Sequence, residues 1–209
     1  MKPSGLSSRT ISPVSVIQHG MPHIEPTGRH RMKDKLGLDS RPIISTFGLV
    51  GPGKGLEFAL KVLARVLPHN PRVRYLVAGR LHPNLERHEG RRYLERVREM
   101  AEALGVGEAF LLREGYLSEE ELYRLAGAAD LFLLPYPNLE QVSSGTLSYA
   151  LALGKAVLST PFRHARAALA AGRGVLLPLE EEAWAQAVLA LAESPERLRE
   201  MEERAYAYA

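Results

Sequence analysis

Gln141 to Phe162 reads QVSSGTLSYALALGKAVLSTPF, and it joins a polar turn to an apolar helix and then to a buried strand. The run Leu131 to Pro135 just before it, LFLLP, is a short apolar strand, and Tyr136 to Val142 is the loop that leaves it. Ser143, Ser144, Gly145 and Thr146 then open a helix ending near Gly154, and Lys155 to Ser159 is the next strand. Ser143 and Ser144 are N-cap residues by type, Gly145 lets a ligand approach the backbone, and the first N–H groups of a helix carry about half a positive charge. A strand, an anion-attracting turn and a helix in that order form a phosphate site in an open α/β sheet. On these residues alone an ordinary Ser-capped helix is an equal reading.

A second segment shifts the balance. Ile43 to Val50, IISTFGLV, reads as a buried strand that runs into Gly51, Pro52, Gly53, Lys54 and Gly55 before a helix from Leu56 to Leu67. The glycines permit close backbone approach, and Lys54 supplies a mobile point charge for phosphate. The spacing matches neither the nucleoside-triphosphate P-loop nor the dinucleotide fingerprint. Both loops follow the carboxyl ends of strands, so they should meet on one edge of a parallel sheet, where open α/β folds bind ligands.

Outward from these segments, strands and helices alternate from Arg41 onward. Strands are expected at 43–49, 73–78, 109–113, 131–134, 156–159 and 174–178. Helices are expected at 55–67, 89–104, 118–128, 144–153, 163–171, 181–193 and 195–206. This alternation implies a single Rossmann-like three-layer α/β/α domain over 41–209, built on a parallel sheet of about six strands. Ser118 and Glu121 form a capping box, Ser194-Pro195 reads as a cap followed by Pro at the first helical position, and Gly105, Gly154 and Gly172 fall at helix ends. Residues 1–40, rich in Pro, Ser, His and basic residues, read as a linker or arm.

Composition narrows the class. At 209 residues, 45% hydrophobic and 24% charged, the chain is sized for a globular domain with its own core. No apolar run approaches the ~20 residues of a membrane span. Met1 to Thr10 is polar and does not read as a signal peptide, and there is no cysteine, which excludes disulfides, thiolate metal sites and a Cys nucleophile. A cytoplasmic location is the simplest expectation. Residues 1–35 hold six Lys or Arg against two acids, leaving the remainder with 21 basic and 22 acidic groups. Arg87 to Arg98 is interleaved with Glu at helical spacing, which describes a solvated helix face rather than a nucleic-acid surface.

With both loops in hand, the chain resembles the C-terminal, nucleotide-sugar-binding half of retaining GT-B glycosyltransferases of the group-1, family 4 type, over about residues 14–193. The carriers are Val16 to Gly20 as the end of an inter-domain linker, Gly48 through Lys54-Gly55 as a G-x-x-x-x-x-K-G turn, and Ala150, Ala152, Gly154 and Ala156-Val157 as the tail of A-x-A-x-G-x-P-V. The resemblance implies an enzyme of hexosyltransferase type. Its donor would be a UDP-, GDP- or ADP-sugar, with no cofactor or metal required. Lys54 and the Ser143, Ser144, Gly145, Thr146 turn would hold the diphosphate, beside Gly51 and Gly53. Aligning on Gly154 puts Gln141 at the glutamate that faces the donor sugar and Tyr149 at the glutamate that holds the ribose, so both acids of the E-x7-E motif are replaced. Glu140, one residue early, is an alternative to Gln141 in orienting the sugar. Leu49 stands where an arginine often accompanies the lysine. Tyr116 occupies the loop that passes the nucleobase in the family.

The resemblance also implies a partner. Its acceptor site lies in an N-terminal Rossmann-like domain, expected to act in cis or in trans, and without it the chain should transfer little sugar and could self-associate through the cleft-facing surface. Two other readings stand beside this one: a catalytically dead nucleotide or sugar-phosphate module, and a GT-B enzyme of another class such as a sugar-nucleotide epimerase. His19, His23 and His30 lack the spacing of a metal site. His82 and His164 follow strands at the ligand end and are either solvated or cleft-lining. Lys155, at the other end, reads as surface, Trp184 as a packed anchor, and Ser143, Ser144 and Ser159 lack the G-x-S-x-G elbow of a hydrolase.

Overall fold

A computed structural model describes residues 28–89 and 91–209; the linker turn Val16 to Gly20 and the histidines at 19 and 23 lie outside the described residues. Six strands form one sheet: β1 (Ile43–Phe47), β2 (Arg74–Gly79), β3 (Phe110–Glu114), β4 (Leu131–Leu134), β5 (Ala156–Ser159) and β6 (Val175–Leu176). Every pairing is parallel and the order is β3-β2-β1-β4-β5-β6. Chain order reverses between β1 and β4, and that switch point is where such sheets bind ligands.

The helices are α1 (Arg29–Lys35), α2 (Leu56–Val66), α3 (Pro83–His88), α4 (Arg92–Ala103), α5 (Glu119–Ala128), α6 (Gly145–Ala152), α7 (Arg163–Ala168), α8 (Glu181–Ala192) and α9 (Pro195–Tyr208). Side chains alternate across the strands and build a core on each face. Ile44, Tyr75, Val77, Leu131 and Leu133 meet α2, α4 and α8 on one face. Ile43, Phe47, Leu76, Phe132 and Leu134 meet α5, α6 and α7 on the other. The burial is complete for β4 and β5, as expected of strands covered on both faces. Trp184 is the packed anchor that its position implied, edge-on to Phe58 and donating its indole N–H to Pro178 O at 2.7 Å.

Most local signals act as their residue types require. Ser118 and Glu121 cap α5 reciprocally, and Gly105 and Gly154 adopt positive φ just past the ends of α4 and α6. Pro195 opens α9, but Ser194 makes no side-chain cap bond there, and Gly172 takes its positive φ in the turn beyond α7, which ends at Ala168 rather than at 171.

Three expectations change. The helix expected at 89–104 is α4, and a short helix that was not expected, α3, precedes it, started by Pro83 behind the His82 cap. The arm expected through residue 40 contains α1, which packs on α5 with Met32 and Lys33 buried. Lys155 is not on the surface. It is 5% exposed and donates to Gly127 O at 2.7 Å and Ala129 O at 3.1 Å, because α1 and α9 close over that end of the sheet.

An ionic cluster surrounds it. Lys33 Nζ lies 2.6 Å from Asp130 Oδ2 and 2.6 Å from Arg41 O, and the same carboxylate oxygen accepts from Ile43 N at 2.6 Å. Arg29 pairs with Glu202 of α9, and its Nε sits 3.1 Å from Asp130 Oδ1 as an ionic contact too poorly aligned to be a hydrogen bond. Desolvation pushes the Lys155 ammonium down to about 8, with the neighbouring Arg29 cation adding to the effect, while burial raises Glu202.

Candidate active site

At the opposite end of the sheet, the tips of β1 and β4 bring the two phosphate-friendly loops together. Beyond β1 the chain bends at Gly48, with φ +109. A 3-10 turn follows over Pro52–Lys54, and Gly55 then starts α2 with φ +65. A side chain at Gly55 would place its Cβ 2.1 Å from Pro135 O, so glycine is what allows the turn to press against the end of β4. The contact fixes Lys54. Its Nζ donates to Tyr136 Oη at 2.7 Å and to Thr146 Oγ1 at 2.9 Å, and it lies 4.7 Å from the Tyr136 ring centroid. Thr146, at the start of α6, in turn donates its hydroxyl to Phe47 O at 2.9 Å.

The second loop is held as firmly. Ser144 caps α6, its hydroxyl accepting from Leu147 N at 3.2 Å, and its own N–H donates to His164 Nδ1 at 3.0 Å. Ser143 is exposed, and its carbonyl accepts from Gln141 Nε2 at 2.7 Å. A Cβ added to Gly145 or Gly53 would meet no atom within 4 Å, so both glycines face open space. A Cβ at Gly51 would lie 2.7 Å from Leu85 Cδ1, the end of a side chain that can swing aside.

A cleft of about 460 Å³ opens over these groups, lined by Leu49, Gly51, Lys54, His82, Tyr136 and Gln141 among others. That volume falls within the range of about 300–1,000 Å³ usual for small-molecule sites. A pocket of about 100 Å³ lies on the other side of Thr146, lined by Gly48, Phe132, Tyr149 and neighbours. Tyr149 there contacts Tyr123 with ring centroids 5.9 Å apart. Lys54 and Thr146 therefore stand between two openings.

The expected site residues divide accordingly. Lys54, Gly51, Gly53, Ser144, Thr146 and Gln141 are brought to one edge. Glu140 is not: its side chain is 80% exposed and pairs with Arg163 at 3.4 Å, outside the cleft. Tyr116, 82% exposed, sits on the rim of a groove along α5 and β3 rather than with Lys54. His82 does line the cleft, where it also caps α3 by accepting from Asn84 N at 3.2 Å. The residue that sequence reasoning missed is Tyr136, read only as the first residue of a loop. An aromatic immediately after Pro135 at the carboxyl end of the switch-point strand was the available signal. Among the described residues no three His, Asp or Glu side chains group as a metal site, and no helix is long and apolar enough to cross a membrane.

Comparison with known proteins adds a family. Residues 28–208 match the model described as "Glycosyl transferases group 1". A "GDP-mannose-dependent alpha-(1-6)-phosphatidylinositol monomannoside mannosyltransferase" of Mycolicibacterium smegmatis is 27% identical over 130 residues, 59% of this chain and 31% of that protein. The structure of Anabaena Alr3699/HepE in complex with UDP superposes with a TM-score of 0.74 at 18% identity, over 88% of this chain and 48% of that one. The C-terminal domain of a group 1 glycosyl transferase, LpcC of Francisella tularensis, superposes with a TM-score of 0.73 at 16% identity, over 88% of this chain and 92% of that one. The chain thus spans less than a third of the curated relative, about half of HepE and nearly all of the separate domain.

Proposed function

Since residues 28–208 match its model, the chain belongs to the group 1 glycosyl transferases, and from that premise we propose that it is the donor-binding domain of a retaining enzyme that moves a sugar from a nucleoside-diphosphate sugar to an acceptor. The observation that carries this reading is the meeting of Lys54 with the N-terminus of α6 at the sheet's switch point, beside an open cleft.

The chemistry follows from where charge develops. As the glycosidic bond breaks, the departing nucleoside diphosphate gains negative charge, and an ammonium together with preorganised N–H donors stabilises that state more than the ground state. Lys54 and the N–H groups of Gly145 and Thr146 take that role. Gln141, on the cleft wall, orients the sugar through its carboxamide oxygen, since its NH2 already donates to Ser143 O. Acceptor binding falls to a further Rossmann-like domain, in cis or in trans, in keeping with the share of the relatives that this chain spans. The name of the mannosyltransferase relative and the UDP held by HepE support GDP- and UDP-sugars as the first donors to try.

Calorimetric titration with UDP, GDP, ADP and their sugar conjugates tests the site. One diphosphate should bind saturably, and Lys54→Ala should weaken it by about 10- to 100-fold, the worth of a charge-assisted contact to phosphate. Binding unchanged in Lys54→Ala would remove the diphosphate from this cleft. Gln141 and Tyr149, standing where the resemblance has acids, favour a second reading as a binding module without turnover. Transfer from a labelled donor after addition of the acceptor-binding domain would exclude that alternative.

A further inference from the structure

Resting on the donor-site reading above, we infer that Tyr136 is a second ligand of the donor's diphosphate, its phenolic O–H donating to the phosphate oxygen that Lys54 neutralises. The inference comes from accounting for hydrogens. An ammonium carries three N–H donors and no acceptor, and two of those of Lys54 are directed at Tyr136 Oη and Thr146 Oγ1. The Tyr136 oxygen is therefore an acceptor in that contact, and its own hydrogen points elsewhere. Thr146 has no such freedom, because its hydroxyl hydrogen goes to Phe47 O. What the cluster has left to offer is the third N–H of Lys54 and the O–H of Tyr136, two adjacent donors of which one is charged. Both residues line the cleft.

The ring is built to hold that hydroxyl still. Tyr136 is 1% exposed, stacked on Phe162 with centroids 5.1 Å apart, and its carbonyl accepts from Thr160 Oγ1 at 2.8 Å. A phenol fixed in this way loses little conformational entropy on binding, and a hydrogen bond to a charged oxygen is among the stronger kinds. The position of the ring under the ammonium also keeps Lys54 extended toward the cleft before any donor arrives.

Tyr136→Phe removes one oxygen and keeps the stacked ring. Titration of the wild-type chain and this variant with UDP, GDP, ADP and the matching monophosphates, with Lys54→Ala alongside, should show diphosphate affinity falling 10- to 100-fold in Tyr136→Phe while monophosphate affinity stays within about threefold. Phe162→Leu, which loosens the ring and leaves the hydroxyl, should keep the wild-type ratio of diphosphate to monophosphate affinity. A loss below tenfold in Tyr136→Phe, equal losses for both ligands, or a changed ratio in Phe162→Leu would overturn the role of Tyr136 while leaving the donor site standing. If no diphosphate binds the wild-type chain, both fall together.

Discussion

Two lysines show how place in the fold sets the chemistry of one side-chain type. Lys54 ends at a cleft with polar oxygens beside it, whereas Lys155 ends in the interior on two backbone carbonyls. Desolvation of Lys155 brings it down to about 8 from an unfolded value near 10.5, against the opposing pull of Asp130 and Glu202. Because the folded value is the lower one, the buried charge costs stability below pH 8, and unfolding takes up a proton at higher pH. Stability from this group therefore rises as pH climbs from about 8 toward 10.5. Denaturant unfolding at about pH 7.5 and 9.5 should show wild type gaining about 1–2 kcal/mol relative to Lys155→Met, which lacks the titrating group. Equal pH responses would mean that the ammonium is not desolvated.

Among the elements, those with complete local signals form where those signals place them. The capping box of α5 is one: Ser118→Ala should cost about 1 kcal/mol and lower the melting temperature by about 2–4 °C, readable by calorimetry. β4 and β5 were legible because each is a short, mainly apolar run, LFLL and AVLS, with a stop near it, Pro135 after one and Gly154 before the other. Helix α1 was not legible, since RHRMKDK has one apolar residue and owes its helix to partners far along the chain, Asp130 and Glu202. The burial of Lys155 escaped for the same reason. At the site, Lys54 and Ser144 could be read from glycine spacing and cap chemistry. Tyr136 could not, because its meaning lies in a contact with a residue 82 positions away. Glu140 was offered by proximity in sequence, and the loop turns it outward to Arg163.

For the whole molecule, the two ends of the sheet have separate duties. The carboxyl ends of β1 and β4 carry the cleft, and the amino ends carry an ionic cluster in which Asp130 joins α1 to the backbone of β1. Asp130→Asn should leave Lys33, 2% exposed, without its counter-ion and lower stability by about 3–5 kcal/mol. Nucleoside-diphosphate affinity, measured on the folded variant, should stay at its wild-type value; a parallel loss would mean that the two ends are coupled. The sheet's flanks carry a different consequence. β6 is only two residues long, and β3 ends in Arg113 and a Glu114 paired with Arg91 and Arg98. Neither border offers a long uncharged ladder of unpaired backbone groups, so both resist strand addition by a second chain, and copies of this domain that meet must do so through side chains rather than by extending the sheet.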